Sequence, residues 1–158
     1  MSTWIHMNCV IKSPIPLDMP LHFGKELPLL DDERPTYDLY KKDKEAWLAE
    51  TDRIMKHNLE AWDEYNKHPD DYLPVGSEGS LRHSSSGIGS DGRHEYKISG
   101  ALRDTFDDVK YLEWFRKKFL VWINLTDADK DYTVYGRVDV SNGVGELTWR
   151  YGDETLAE

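Results

Sequence analysis

"TWIHMNCVIK", residues 3–12, decides the fold. Ile5, Met7, Cys9 and Ile11 fall on one side and Trp4, His6, Asn8, Val10 and Lys12 on the other, the period of two that marks a strand with one face against a core. A strand so close to the start needs partners from later in the chain, and two hairpins supply them. In "EYKISGALRD" (95–104), Tyr96, Ile98, Gly100 and Leu102 alternate with Glu95, Lys97, Ser99 and Ala101, so residues 93–103 read as a strand. "SLRHSS" (80–85) can fold back onto it, with the glycines and Asp91 of "SGIGSDG" supplying the positive φ angles of a long hairpin tip. Near the other end, "YTVYGRVDV" (132–140) gathers Tyr132, Val134, Gly136, Val138 and Val140 on one face. "ELTWRY" (146–151) gathers Leu147, Trp149 and Tyr151, with Asn142-Gly143 at the joint.

Between these strands lie two helical patterns. From Tyr37 to Tyr65, Tyr40, Trp47, Thr51, Ile54, Met55, Leu59, Trp62 and Tyr65 recur at three- and four-residue spacings, with no Gly or Pro between Pro35 and Pro69. One long amphipathic helix is expected, preceded by Asp31, Asp32 and Glu33 at its positive end and stopped by "NKHPDDYLP". "TFDDVKYLEWFRKKF" (105–119) reads as a second helix over 106–120. Thr105 would be its N-cap, with Asp108 three residues on and an apolar stripe at 109, 112, 115, 119 and 120. The following "LVWINLT" fits either the tail of that helix or a short strand. Prolines 14, 16 and 20 make residues 13–35 a connector. The expected architecture is one α+β domain over 1–158, a two-layer ferredoxin-like sandwich with an antiparallel or mixed sheet, in the order β, long α, β, β, α, β, β. Residues 13–73 would be its Pro-rich connector and long helix.

The 158 residues suffice for a core without staples, and the single Cys9 allows no internal disulfide, as in a protein of a reducing compartment. No run approaches the ~20 apolar residues of a membrane span, and residues 1–14 lack the pattern of a secretory signal, so no membrane partner is expected. A formal charge of −10 disfavours nucleic acid as a partner. "GSEGS" has neither Walker nor dinucleotide spacing, and its glycines suit a turn. His83 and His94 would face across the first hairpin, but two histidines without a third ligand make no metal site.

Acids and bases are present at Glu78, Asp91, Asp104, Asp107, Asp108, His6, His83 and His94, in no spacing that a mechanism demands; no catalytic residue, cofactor or metal is assigned. Cys9 alternates with core residues, a poor setting for a nucleophile. His6 and Arg103, on neighbouring strands, could frame a polar pocket.

Binding is the better-supported class. Residues 31–73 carry thirteen Asp and Glu against seven Lys and Arg, six of the chain's ten net negative charges, interleaved with aromatics of the kind interfaces use. Glu45, Trp47, Asp52, Trp62, Asp63 and Glu64 are the candidate partner-binding residues. A 29-residue helix would be about 43 Å long, more than a four-stranded sheet covers, which points to a partner or a homodimer.

The segments "TWIHMNCVIK", "PVGSEGSL", "ISGALRD", "YLEWF" and "LTWRYG" together resemble a group of small proteins encoded by tailed bacteriophages, over most of the chain outside 13–73. The resemblance implies a viral protein of the bacterial host cytoplasm and carries no activity with it. Joined to the binding features of residues 31–73, it makes the expected role that of a non-catalytic protein that binds and modulates a host or phage protein, as in host takeover or anti-defence. A virion-associated or assembly protein, and a small nucleotide-binding protein or enzyme, are the alternatives.

Overall fold

The computed structural model describes residues 4–30, 35–76, 79–103, 108–129 and 133–154. The N-cap expected at Thr105, the acids 31–33, 78, 104 and 107, and Tyr132 lie outside the described residues. The chain divides into two compact units, Met1–Glu26 with Leu73–Glu158, and Leu27–Tyr72. Both breaks fall within the stretch expected to be connector and helix.

The first unit is an α+β structure built on a five-stranded antiparallel sheet. Its strands are β1 (Trp4–Ser13), β2 (Leu81–Ile88), β3 (His94–Arg103), β4 (Tyr135–Ser141) and β5 (Glu146–Tyr151), in the order β2-β3-β1-β4-β5. Every neighbouring pair is antiparallel, and β2 and β5 form the two edges. β1 is central: Cys9 pairs with Ile98 of β3 and Val138 of β4. Its alternation therefore feeds one core, where Ile5, Met7, Cys9 and Ile11 are buried with Ile98, Leu102, Val138 and Val140.

Both hairpins form. β2 pairs with β3 around a bulge between Ser85 and Gly87, and Asn142 closes the β4–β5 turn, its side-chain oxygen accepting from the Val144 and Gly145 N–H groups at 2.9 Å. His83 and His94 do not face each other. His83 pairs with Ile98 and His94 with Ile88, because the arms continue two residues past Ser86 before turning.

Helix α1 (Met19–His22) is one turn, capped by Asp18, whose carboxylate accepts from Leu21 N–H at 3.2 Å. The long helix of this unit runs from Asp108 to Thr126 and is numbered α4; "LVWINLT" is its tail, not a strand. Its buried face is Tyr111, Phe115, Phe119 and Trp122, while Val109 is 53% exposed. The expected stripe was thus out of phase at its start. Strand β4 opens a place for this helix at Gly136, where an added Cβ would come within 2.3 Å of the Phe119 ring.

The second unit holds α2 (Tyr37–Lys42), α3 (Lys44–Lys67) and a 3-10 turn (Pro69–Asp71). The single helix expected from 37 to 65 is broken at Asp43, whose backbone is extended (φ −153°, ψ 93°). Asp43 ends α2 by donating its N–H to Leu39 O, and it starts α3 by accepting from Ala46 N–H at 3.1 Å. An aspartate that satisfies orphan groups of both helices makes the break stable, and periodicity alone does not register it. A capped α3 of 24 residues is about 36 Å long.

Candidate functional site

α3 is held along one side by its own unit. Asn58 Oδ1 accepts from Leu30 N–H at 2.9 Å and His57 Nε2 donates to Pro28 O at 2.7 Å, so residues 28–30 run beside the helix, where Ile54 and Ala61 are buried. Tyr40 meets Trp47 edge-on at 5.3 Å between centroids, and Trp62, Tyr65 and Tyr72 form a second edge-on series at 5.7 Å. Burial, then the Asp70 charge, pushes the Tyr65 phenol up.

Next to the buried side lies an open groove of about 430 Å³, lined by Pro35, Trp47, Thr51, Ile54, Met55, Asn58, Leu59 and Trp62. Its outer edge is apolar and exposed: Leu48 is 49%, Met55 53% and Leu59 64% accessible. The Thr51 hydroxyl is buried there and has no hydrogen-bond partner among the described residues. A helix whose own unit uses only part of its apolar face leaves the remainder for another surface.

The expected contact residues separate into three groups. Trp47 and Trp62 line the groove. Glu45, Asp52 and Asp63 follow the exposed edge, since Asp52 is four residues from Leu48 and three from Met55, and Asp63 four from Leu59. Glu64 lies round the helix, within 3.9 Å of His68. The rim is not an unbroken acidic array, because Lys56 meets Asp52 at 3.0 Å and Lys67 meets Asp63 at 3.3 Å. Missed from the sequence was Leu48, which continues the 55–59–62 stripe about two turns toward the N-terminus.

His6 and Arg103 lie on the sheet face opposite the core, in diagonal register: Trp4 pairs with Arg103 and His6 with Ala101. His6 is exposed and Arg103 half-buried. The backbone of Gly76 comes in beside Arg103, where an added Cβ would sit 2.6 Å from its carbonyl oxygen, so the glycines of "PVGSEGSL" serve close approach to β3 as well as turning. Farther along this face Asp139 accepts from Thr148 Oγ1 at 2.7 Å and Arg137 Nε at 3.1 Å.

The remaining candidates are dispersed. Asp91 accepts the Arg93 N–H at 3.0 Å and its Nε at 2.9 Å, which holds its carboxyl below the usual range. Arg93, 5% exposed, also donates to Thr133 O at 2.7 Å, so this pair clamps the β2–β3 tip to the approach of β4. Asp108 accepts from Asn142 at 3.2 Å, and His94 stacks on Tyr96. Cys9 is fully buried, and burial, with the Asp139 charge second, pushes its thiol far above the ordinary value.

His83 borders a shallow cavity of about 400 Å³ with Leu17, Asp18, Met19, Pro20, Ser84, Ser85 and Tyr96. Burial lowers its pKa against the raising effects of Glu26 and a Gly24 hydrogen bond. Among the described residues no three His, Cys, Asp or Glu side chains are grouped to hold a metal ion, and no helix is long and apolar enough to cross a membrane. No protein-family model, curated protein or solved structure matches the chain.

Proposed function

We propose that this chain is a bacteriophage protein that works without catalysis, binding and modulating a host or phage protein through its Leu27–Tyr72 unit. The observation that carries this reading is the groove on α3: about 430 Å³, floored by Trp47, Ile54 and Trp62, and edged by exposed Leu48, Met55 and Leu59. Aromatic anchors in a concave apolar surface, with charges confined to the rim, are the arrangement of a protein-contact site. The bacteriophage origin and the host cytoplasm rest on the sequence resemblance alone. A ferredoxin-like architecture of the sheet unit belongs to the same proposal; the β2-β3-β1-β4 run is compatible with it, and β5 is additional.

The cavity at His83 lends the nucleotide alternative no support. Its walls contain no Lys or Arg to meet a phosphate, they include the Asp18 carboxylate, and burial disfavours the charged form of His83. A protein-contact role accounts for more of the surface.

The test is affinity capture from infected cells with the wild type, with Trp47→Ala/Leu59→Asp, and with Glu45, Asp52, Asp63 and Glu64 all reversed to Lys. Circular dichroism would establish that each variant is folded. A captured protein lost with the groove variant and weakened by the charge reversal supports the reading. Capsid or tail proteins among the captured species would favour the assembly alternative, and identical capture by all three chains would refute a role for α3.

A further inference from the structure

We infer that His83 is an acid-sensitive latch: while its ring is neutral it holds the segment Gly24–Glu26 against the edge of β2, and when the ring takes a second proton it lets that segment go. The inference concerns the sheet unit alone and is independent of what α3 binds.

β2 is an edge strand, so the N–H groups on its outer side need partners from outside the sheet. At His83 the partner is a side chain: Glu26 Oε1 accepts the His83 N–H at 2.6 Å. The residue reaches the same segment a second time through its ring, which is hydrogen-bonded to the Gly24 backbone. Gly24 N–H is already donated to Met19 O at 3.3 Å, so the ring is the donor and Gly24 O the acceptor. Nε2 is buried and has no partner among the described residues, which puts the donated proton on Nδ1 and leaves Nε2 a bare acceptor. Between the two anchored residues, Lys25 O accepts from Leu73 N–H at 2.9 Å. Glu26 and Leu73 are where the chain leaves and re-enters the sheet unit, so the latch secures both crossings.

A second proton must go to Nε2, the open position on the ring. There it makes a cationic N–H that is out of water and has no acceptor. The charged and titratable groups around the ring are Glu26, engaged by the His83 N–H, and, on the wall of the shallow cavity beside it, the Asp18 carboxylate and the Tyr96 phenol, engaged by the Leu21 and Leu17 N–H groups; no Lys or Arg lines that cavity among the described residues. Burial of the ring disfavours the cation and outweighs the Glu26 charge and the Gly24 bond, which favour it. A charged ring is relieved by turning out into the water of the cavity, and that movement breaks its bond to Gly24. Since the closed form resists the second proton, the latch is at full strength above the ordinary imidazole pKa of about 6.5 and weakens as pH falls below it, by up to about tenfold per pH unit.

The experiment is hydrogen exchange of the full-length chain, with the amides of His83 and Leu73 as reporters after correction for the intrinsic rate. Their protection should fall by up to about tenfold between pH 7.5 and pH 5.5, while the amides of Cys9 and Ile98 at the centre of the sheet hold theirs. His83→Gln keeps a side-chain donor for Gly24 O but no titrating ring, and its profile should be flat; His94→Gln should behave as the wild type. The His83 ring, followed by NMR in the wild type, should titrate below the ordinary imidazole value. A flat wild-type profile, a fall shared equally by Cys9 and Ile98, or a His83→Gln profile as steep as the wild type's overturns the inference. So does a His83 ring that titrates at or above the ordinary value, a reading that needs no variant to fold.

Discussion

Replacing Phe115 by Ala tests the phase of α4, and with it the packing of the whole sheet unit. The ring has no solvent exposure and is surrounded by aromatics: Phe23 stacks on it at 5.6 Å, Phe119 at 5.7 Å, and Trp149 meets it at 6.1 Å with planes 67° apart. Removing it forfeits about 2–3 kcal/mol of transfer free energy. It also leaves a hole that three rigid rings can only partly fill. A residual cavity of about 70 Å³ at about 24 cal/mol per Å³ adds about 1.7 kcal/mol. The expected loss is about 4 kcal/mol. With a urea m-value of about 2 kcal/mol/M, that is a fall of about 2 M in the unfolding midpoint, followed by near-UV circular dichroism. Val109→Ala is the control. It lies on the stripe read from the sequence but is 53% exposed, and it should change stability by no more than about 0.5 kcal/mol. A cost below about 1 kcal/mol for Phe115→Ala, or a comparable cost for both variants, would mean that α4 presents a different face to the sheet.

Gly136→Ala should destabilise by about 1–3 kcal/mol, because the new methyl meets the Phe119 ring at 2.3–2.9 Å; Phe119→Leu in the same chain should recover part of the loss in thermal unfolding. Cys9→Ser should cost about 1–3 kcal/mol by burying a hydroxyl among apolar groups, while partner capture is unchanged. The wild-type thiol should resist alkylation until the chain unfolds, and rapid labelling of the folded protein would contradict its placement. Asp91 titrates below its ordinary value in the folded chain, through the Arg93 N–H first and the Arg93 side chain second. Its contribution to stability is therefore present above the unfolded-state pKa of about 3.9 and is lost as pH falls through the lower folded value. The melting temperature of Asp91→Asn should accordingly fall less steeply than that of the wild type on acidification, and parallel profiles would show that the clamp is not charged as described.

Where structure follows from neighbours along the chain, the sequence by itself was sufficient. The alternation in 4–12 and 95–103, the Asn142-Gly143 joint and the glycine-rich tip each specify local backbone geometry. Strands that each bury one face must share a core, so the α+β class was legible; that β1 lies at the centre of the sheet is decided by its pairing with β3 and β4. Periodicity also marked α3 and α4, but it measures apolar spacing and not which apolar residues find a surface. Val109 and Tyr111 are indistinguishable on that measure until β4 and β5 decide which one is covered. The same limit hid the break at Asp43, where one residue satisfies the ends of two helices, its N–H closing α2 and its carboxylate capping α3. It also hid the division of the chain at residues 27 and 72, because compactness is a property of contacts between distant residues. Trp47 and Trp62 could be proposed as contact residues from composition. That they line one groove, with Leu48, Met55 and Leu59 left exposed beside it and Glu64 turned elsewhere, depends on residues 28–30 occupying the other side of α3. That choice is made by tertiary hydrogen bonds, from Leu30 N–H to Asn58 and from His57 to Pro28 O, which no local pattern encodes.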